Sequence, residues 1–150
     1  MHTPTCIWKG PAALAEGPLW HPTEQALYWI DITEKKLHRL DPTTQQHKSW
    51  EMPALIGAIA LHHDGGLIAG LGDNIVKIDL PSATITPLVD VIQGDTDLRL
   101  NDGRCDARGR FWVGVAHATK DNPRGGLFRY DPDGTLHQME SNITISNGLG

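Results

Sequence analysis

Long apolar runs are missing from this sequence. No stretch approaches the roughly 20 apolar residues that a membrane-spanning helix needs. The opening MHTPTCIWKGPAALAEGPLW has no continuous apolar core, so it does not read as a secretory signal. Charge of one sign is not gathered anywhere. The 13 Lys and Arg residues are scattered among 18 Asp and Glu, the net charge is −5, and no aromatic sits in a basic run. This pattern predicts neither nucleic acid nor a membrane as partner. Cysteine is scarce: Cys6 and Cys105 are far apart and lack CxxC spacing. That excludes a disulfide framework and a cysteine zinc motif, and predicts two reduced thiols in a cytoplasmic protein, with Cys105 as a small core residue. The sequon Asn142-Ile143-Thr144 has no secretory signal to serve it. The GxSxG, HExxH, Walker A and dinucleotide fingerprints are absent too, which removes several catalytic classes.

Helical periodicity is almost lacking, and short β-rich runs between turn residues take its place. With 150 residues, 39% of them hydrophobic, the chain is long enough for one domain with a core. Ala26-Leu27-Tyr28-Trp29-Ile30 leads to Lys36-Leu37-His38-Arg39-Leu40 and stops at Asp41-Pro42. A second unit runs through Leu67-Ile68-Ala69-Gly70-Leu71 and Ile75-Val76-Lys77-Ile78 to Asp79. A third runs through Arg110-Phe111-Trp112-Val113-Gly114-Val115 and Leu127-Phe128-Arg129-Tyr130 to Asp131-Pro132. Tyr28, Leu67 and Phe111 hold one place in the three units, and Asp41, Asp79 and Asp131 another. The period is roughly 40 residues, that of four-stranded propeller blades. The fold class is therefore all-β, a β-propeller of antiparallel blades at approximately 15–52, 55–92 and 99–141, with a fourth starting at 143–150. A sandwich of short strands is the alternative, but it leaves the threefold motif order unexplained. The five tryptophans read as packing between blades, and 117–125 as a loop inserted in the third unit that could cover one mouth of the channel.

In a propeller, chemistry sits where loops from several blades converge at one end of the axis. Three polar positions precede inner strands: Glu16 in Ala15-Glu16-Gly17-Pro18, Arg99 to Asp102 in Arg99-Leu100-Asn101-Asp102-Gly103, and Asn147 in Ser146-Asn147-Gly148. Glu16, Asn101 and Asn147 offer hard oxygen ligands of the kind Ca²⁺, Mg²⁺ or Mn²⁺ accepts. Each has an ordinary reading as well: Asn-Gly and Asn-Asp-Gly are turn chemistry, Glu16 can be an exposed acid, and Arg99 a surface cation. His62 and His63 are adjacent, so within a strand they point to opposite faces and share no metal. Asp95-Thr96-Asp97 reads as a solvated loop.

AEGPLW (15–20), RLNDGRCDARGRFWVG (99–114) and ISNGLG (145–150) together resemble the senescence marker protein/gluconolactonase/luciferin-regenerating enzyme family. The resemblance spans the chain from about Cys6 to Gly150. It implies a six-bladed ring with one divalent cation (Ca, Zn, Mg or Mn) in the central channel and hydrolysis of small sugar lactones. It further implies Glu16 and Asn147 as metal ligands, and Arg99, Asn101 and Asp102 at the substrate. The third ligand of the family, an Asp that also serves as general base, is expected beyond Gly150, so no catalytic base is identified here. Some relatives carry an acid where this chain has His117-Ala118-Thr119, which bears on substrate preference. The alternative expectation is a non-catalytic propeller fragment that binds a cation or a partner. Its open edge invites self-association or a complementing chain.

Overall fold

Residues 3–117, 119 and 121–150 are described in the computed structural model, and every regular element among them is a β-strand. Strands β1 (Ala15–His21), β2 (Ala26–Asp31), β3 (Lys36–Leu40) and β4 (His47–Glu51) form one antiparallel sheet in chain order. The second sheet contains β5 (Ile56–Leu61), β6 (Leu67–Leu71), β7 (Asn74–Asp79) and β8 (Thr84–Asp90). The third contains β9 (Leu98–Cys105), β10 (Phe111–His117), β11 (Gly125–Tyr130) and β12 (Leu136–Ile143).

Turn chemistry sets these boundaries. Asp41 Oδ1 accepts the amides of Thr43 at 2.8 Å and Thr44 at 3.0 Å, and Gln45 follows at φ 61°. Asp131 opens the corresponding turn of the third sheet, accepting at its carbonyl from Gly134 N at 2.9 Å. Gln25, Lys35 and Ala83 also take left-handed conformations, closing their hairpins without glycine.

Period-2 alternation then decides which faces are buried. Tyr28, Leu67 and Phe111 pair with Leu19, Leu61 and Cys105 and are each no more than 1% exposed. One apolar layer joins the first two sheets through Tyr28, Ile30, Leu37, Ile56, Leu67 and Ile78. A second layer joins the next two through Ile68, Ile75, Leu100, Phe111 and Val113. Each such side chain contributes about 1.5–3 kcal/mol relative to exposure. Three consecutive four-stranded meanders packed face to face make this an all-β propeller fold.

The tryptophans depart from the expected inter-blade role. Only Trp50 joins the layer between the first two sheets. Trp29 lies on the opposite face of β2, 4.9 Å from His38 in a stack that Trp8 covers, and Trp20 is exposed. The histidine expectation is corrected as well. Strand β5 ends at Leu61, so His62 and His63 lie in the following turn, where alternation no longer applies. Their rings stack with centroids 4.5 Å apart. At the far end, β12 continues to Ile143, Ile145 makes one antiparallel bridge to Ala116, and 146–150 form no strand.

All three first strands carry a β-bulge. The register of β1 slips between Glu16 and Leu19, that of β5 between Ile56 and Ala58, and that of β9 between Leu100 and Gly103. Each slip inserts one extra residue, which breaks alternation and re-aims side chains toward one end of the molecule. Gly57 occupies the β5 bulge because nothing larger fits: a Cβ there would stand 2.2 Å from the Leu100 carbonyl oxygen.

Candidate functional site

The bulged ends of β1, β5 and β9 surround an open cleft of about 490 Å³. Glu16, Arg99, Asn101, Asp102 and Asn147 all line it, together with Leu14, Gly17, Ile32, Gly57 and Ile145. The five candidates, from three separate stretches of the sequence, are thus brought to one place.

Asn101 is buried, and its Nδ2 donates to the Ser146 carbonyl at 2.8 Å. With one amide hydrogen committed there, the carbonyl Oδ1 is the acceptor that Asn101 can offer the cleft. Asp102 Oδ2 accepts the Leu149 amide at 3.0 Å, which leaves Oδ1 for a ligand. Arg99 is half-buried, and its Nη1 donates to the Leu100 carbonyl at 3.2 Å. Burial lowers its pKa from 12.5, and the group remains a cation at neutral pH. Glu16 is exposed at the cleft, beside Gly17 at φ 58° in the β1 bulge. Asn147 is exposed too, and its Oδ1 accepts the Gly148 amide at 3.1 Å, with a second lone pair to spare.

Ser146 and Gly114 were not singled out from sequence. Ser146 is buried and supplies the oxygen that fixes Asn101. Gly114 lets it approach, since a Cβ there would lie 2.4 Å from the Ser146 side chain. A glycine inside the apolar run Phe111 to Val115 was the available signal.

A polar group borders the same end of the third sheet. Arg124 reaches Asp95 at 3.0 Å and Asp97 at 2.8 Å, so the cation that these acids hold is a guanidinium. Arg124 also faces His117 Nε2 at 2.8 Å. A guanidinium only donates, so Nε2 is the lone pair, and Nδ1 carries the proton toward Thr119 Oγ1 at 2.9 Å. Thr119 in turn donates to Asp121. Ala118 and Lys120, within the segment expected to form a loop over the channel, lie outside the described residues.

The middle of the long motif serves a different end of the molecule. Asp106 Oδ2 accepts from Arg110 Nε at 2.6 Å and from Trp112 Nε1 at 2.9 Å, while Oδ1 accepts the amides of Arg108 and Arg110. These donors, Arg110 and Trp112 foremost, hold its carboxyl well below the usual carboxylate range. Asp106 organises the β9–β10 turn, away from the cleft.

Fold and cleft together define a class: propellers that gather oxygen donors and a cation-bearing Arg at one mouth of the channel. The match to the SMP-30/gluconolactonase/LRE-like region covers residues 14–150, and the chain belongs to that family. It is 35% identical over 144 residues to 6-deoxy-6-sulfogluconolactonase of Pseudomonas putida, which covers 96% of this chain and 50% of that protein. It is 37% identical over 153 residues to a pentonolactonase of Haloferax volcanii, covering 99% of this chain and 49% of that one. The luciferin-regenerating enzyme structure superposes with a TM-score of 0.86 at 30% identity, over 93% of this chain and 49% of that one. The chain spans about half the length of the relatives it matches.

Proposed function

We propose that this chain carries the N-terminal part of a divalent-metal-dependent sugar lactonase, its three sheets serving as the first three blades of a six-bladed ring. One observation carries the reading: Glu16, Arg99, Asn101, Asp102 and Asn147 line a single cleft. The names of the relatives support it, two of them being lactonases of sugar acids.

The donor set fits a divalent cation. Glu16 supplies one carboxylate and Asn147 a neutral carbonyl oxygen, both hard ligands. They are the residues that would hold the ion, and they form a partial set, since Ca²⁺ takes about 6–8 oxygens. Bound there, the cation supplies Lewis-acid polarisation of a lactone carbonyl. Arg99 donates to substrate oxygens, and its half-burial strengthens those bonds. Asn101 Oδ1 and Asp102 Oδ1 accept from sugar hydroxyls and fix the ring in one orientation. Leu14, Ile32 and Ile145 form an apolar wall against its C–H face. None of these residues is assigned as general base. By resemblance to the family, that carboxylate is expected on a later blade. Two free thiols, Cys6 and Cys105, support a reducing, cytoplasmic setting.

Gluconolactone hydrolysis with and without a chelator tests this reading. In a protein that supplies the later blades as well, cation-dependent turnover is expected, falling about a hundredfold or more in Glu16→Gln. Turnover indifferent to Glu16→Gln would sink the role given to that residue.

A second reading is a non-catalytic module that binds a cation or a partner. It is favoured by the open space of about 990 Å³ beside Trp112, Leu127 and Leu149 on the third sheet. Cation uptake by calorimetry without any hydrolysis, even when the later blades are supplied, selects this reading.

A further inference from the structure

The turn between β5 and β6 holds a group of side chains that the cleft does not use. The chain leaves the sheet at Leu61, and the turn is closed by His62 N to Gly66 O at 3.1 Å and Gly65 N to His62 O at 3.0 Å. This folds three consecutive side chains toward one another. One ligand atom from each of His62, His63 and Asp64 lies within 4.8 Å of the other two. His63 Nε2 stands 3.2 Å from Asp64 Oδ2. His62 is the partly buried anchor: it borders a recess with Leu61, Ile68, Leu88 and Tyr130, and its Nδ1 accepts the Asp64 amide at 3.1 Å.

We propose that His62, His63 and Asp64 form a second metal site, for a borderline transition ion such as Zn²⁺, Cu²⁺ or Ni²⁺, at the mouth of the propeller opposite the cleft. Ligand type decides the ion. Two imidazoles and one carboxylate suit zinc, copper or nickel, whereas Ca²⁺ and Mg²⁺ favour oxygen alone. Spacing agrees with this. Zinc bonds of about 2.0–2.1 Å place two tetrahedral ligand atoms roughly 3.3 Å apart. The His63 and Asp64 atoms already stand at 3.2 Å, close to that spacing. His63 and Asp64, 71% and 68% exposed, can rotate to bring their atoms to the His62 nitrogen. An ion at His62 Nδ1 displaces the Asp64 amide, and an ion at Nε2 moves the ring proton to Nδ1, which also ends that contact. Either path weakens the affinity by the cost of that hydrogen bond.

The two mouths are chemically distinct. Gly57 lines the cleft at the start of β5 and His62 follows its end, a separation on the order of 15 Å along the strand. Oxygen donors serve one mouth, and two imidazoles with a carboxylate serve the other.

The test is calorimetric titration of the full chain with Zn²⁺ in excess Ca²⁺, repeated in a Glu16→Gln background to remove zinc taken up at the cleft. One equivalent is expected to bind, at least about tenfold more weakly in His63→Gln and Asp64→Asn. Zinc should also raise the melting temperature of the parent chain and not that of His63→Gln. His47→Gln controls for the other close histidine pair, His38 and His47. Unchanged affinity in His63→Gln, equal weakening in His47→Gln, or no binding at about 1 mM Zn²⁺ each overturns the proposal.

Discussion

Asn101 and Ser146 are far apart in the chain and joined by a buried hydrogen bond of 2.8 Å. The next residue of β9, Asp102, holds the Leu149 amide. Two adjacent side chains of one bulge therefore fix segment 146–149, and with it the wall of the cleft that carries Asn147.

Removing the first of these ties exposes its worth. Asn101→Ala leaves a buried Ser146 carbonyl without its donor, at a cost of about 1–3 kcal/mol. Asn101→Asp keeps the shape but cannot donate when ionised, so it should destabilise at least as much. Urea unfolding followed by tryptophan fluorescence measures both. Parent-like midpoints for the two variants would show that the bond does not hold the wall.

Gly57→Ala should be among the more damaging small substitutions. Its Cβ would press on the Leu100 carbonyl oxygen, a backbone atom that cannot rotate away. A loss of about 1–3 kcal/mol is expected from the overpacking, read as a lowered melting temperature. An unaltered melting temperature would mean that the second and third sheets do not approach each other at this point.

Stability should fall in mild acid. Burial, and then His47, hold His38 below its ordinary 6.5, with Lys36 acting in the same sense and Asp31 and Glu51 opposing. Burial lowers His47 as well. His38 Nδ1 and His47 Nε2 are 3.0 Å apart, so one proton serves both nitrogens, and His38 Nε2 is buried without a partner. The unfolded chain binds protons more readily than the folded one. Stability is thus complete above about pH 6.5 and declines as pH drops from there toward the lowered folded values. Melting temperatures across this range should show the slope, and His47→Gln should flatten it. A flat parent profile would contradict the assignment.

The open face of the third sheet should drive association. Trp112, Leu127 and Leu149 border a large recess there, and the outer strand β12 presents a free edge. Light scattering should give a mass that rises with protein concentration. A monodisperse monomer throughout would count against it.

The repeat was legible because turn chemistry and strand period are local. Tyr28, Leu67 and Phe111 are all fully buried, each on the second strand of its sheet, and Asp41, Asp79 and Asp131 each stand at the close of the third strand. Convergence of the cleft residues depended on motifs from distant stretches, which the resemblance supplied. What escaped notice was tertiary. Gly57 and Gly114 matter through backbone and side chains from other parts of the chain, invisible to any local period. Alternation was carried two residues too far at His62 and His63, because nothing in the run Ile59 to His63 marks Leu61 as the last paired residue. The tryptophans misled because size predicts burial and not which face is buried.

The bulges bear on how such a cleft can change. Relative to the slips, Gly17, Gly57 and Asn101 are the first unpaired residues of the three bulges, following Glu16, Ile56 and Leu100. All three line the cleft, two as glycines and one as an asparagine. A repeated irregularity thus gives every blade the same socket, and the residue fitted to it sets what that blade offers. A new ligand preference can arise by refitting one socket, with the sheets that hold it left as they are.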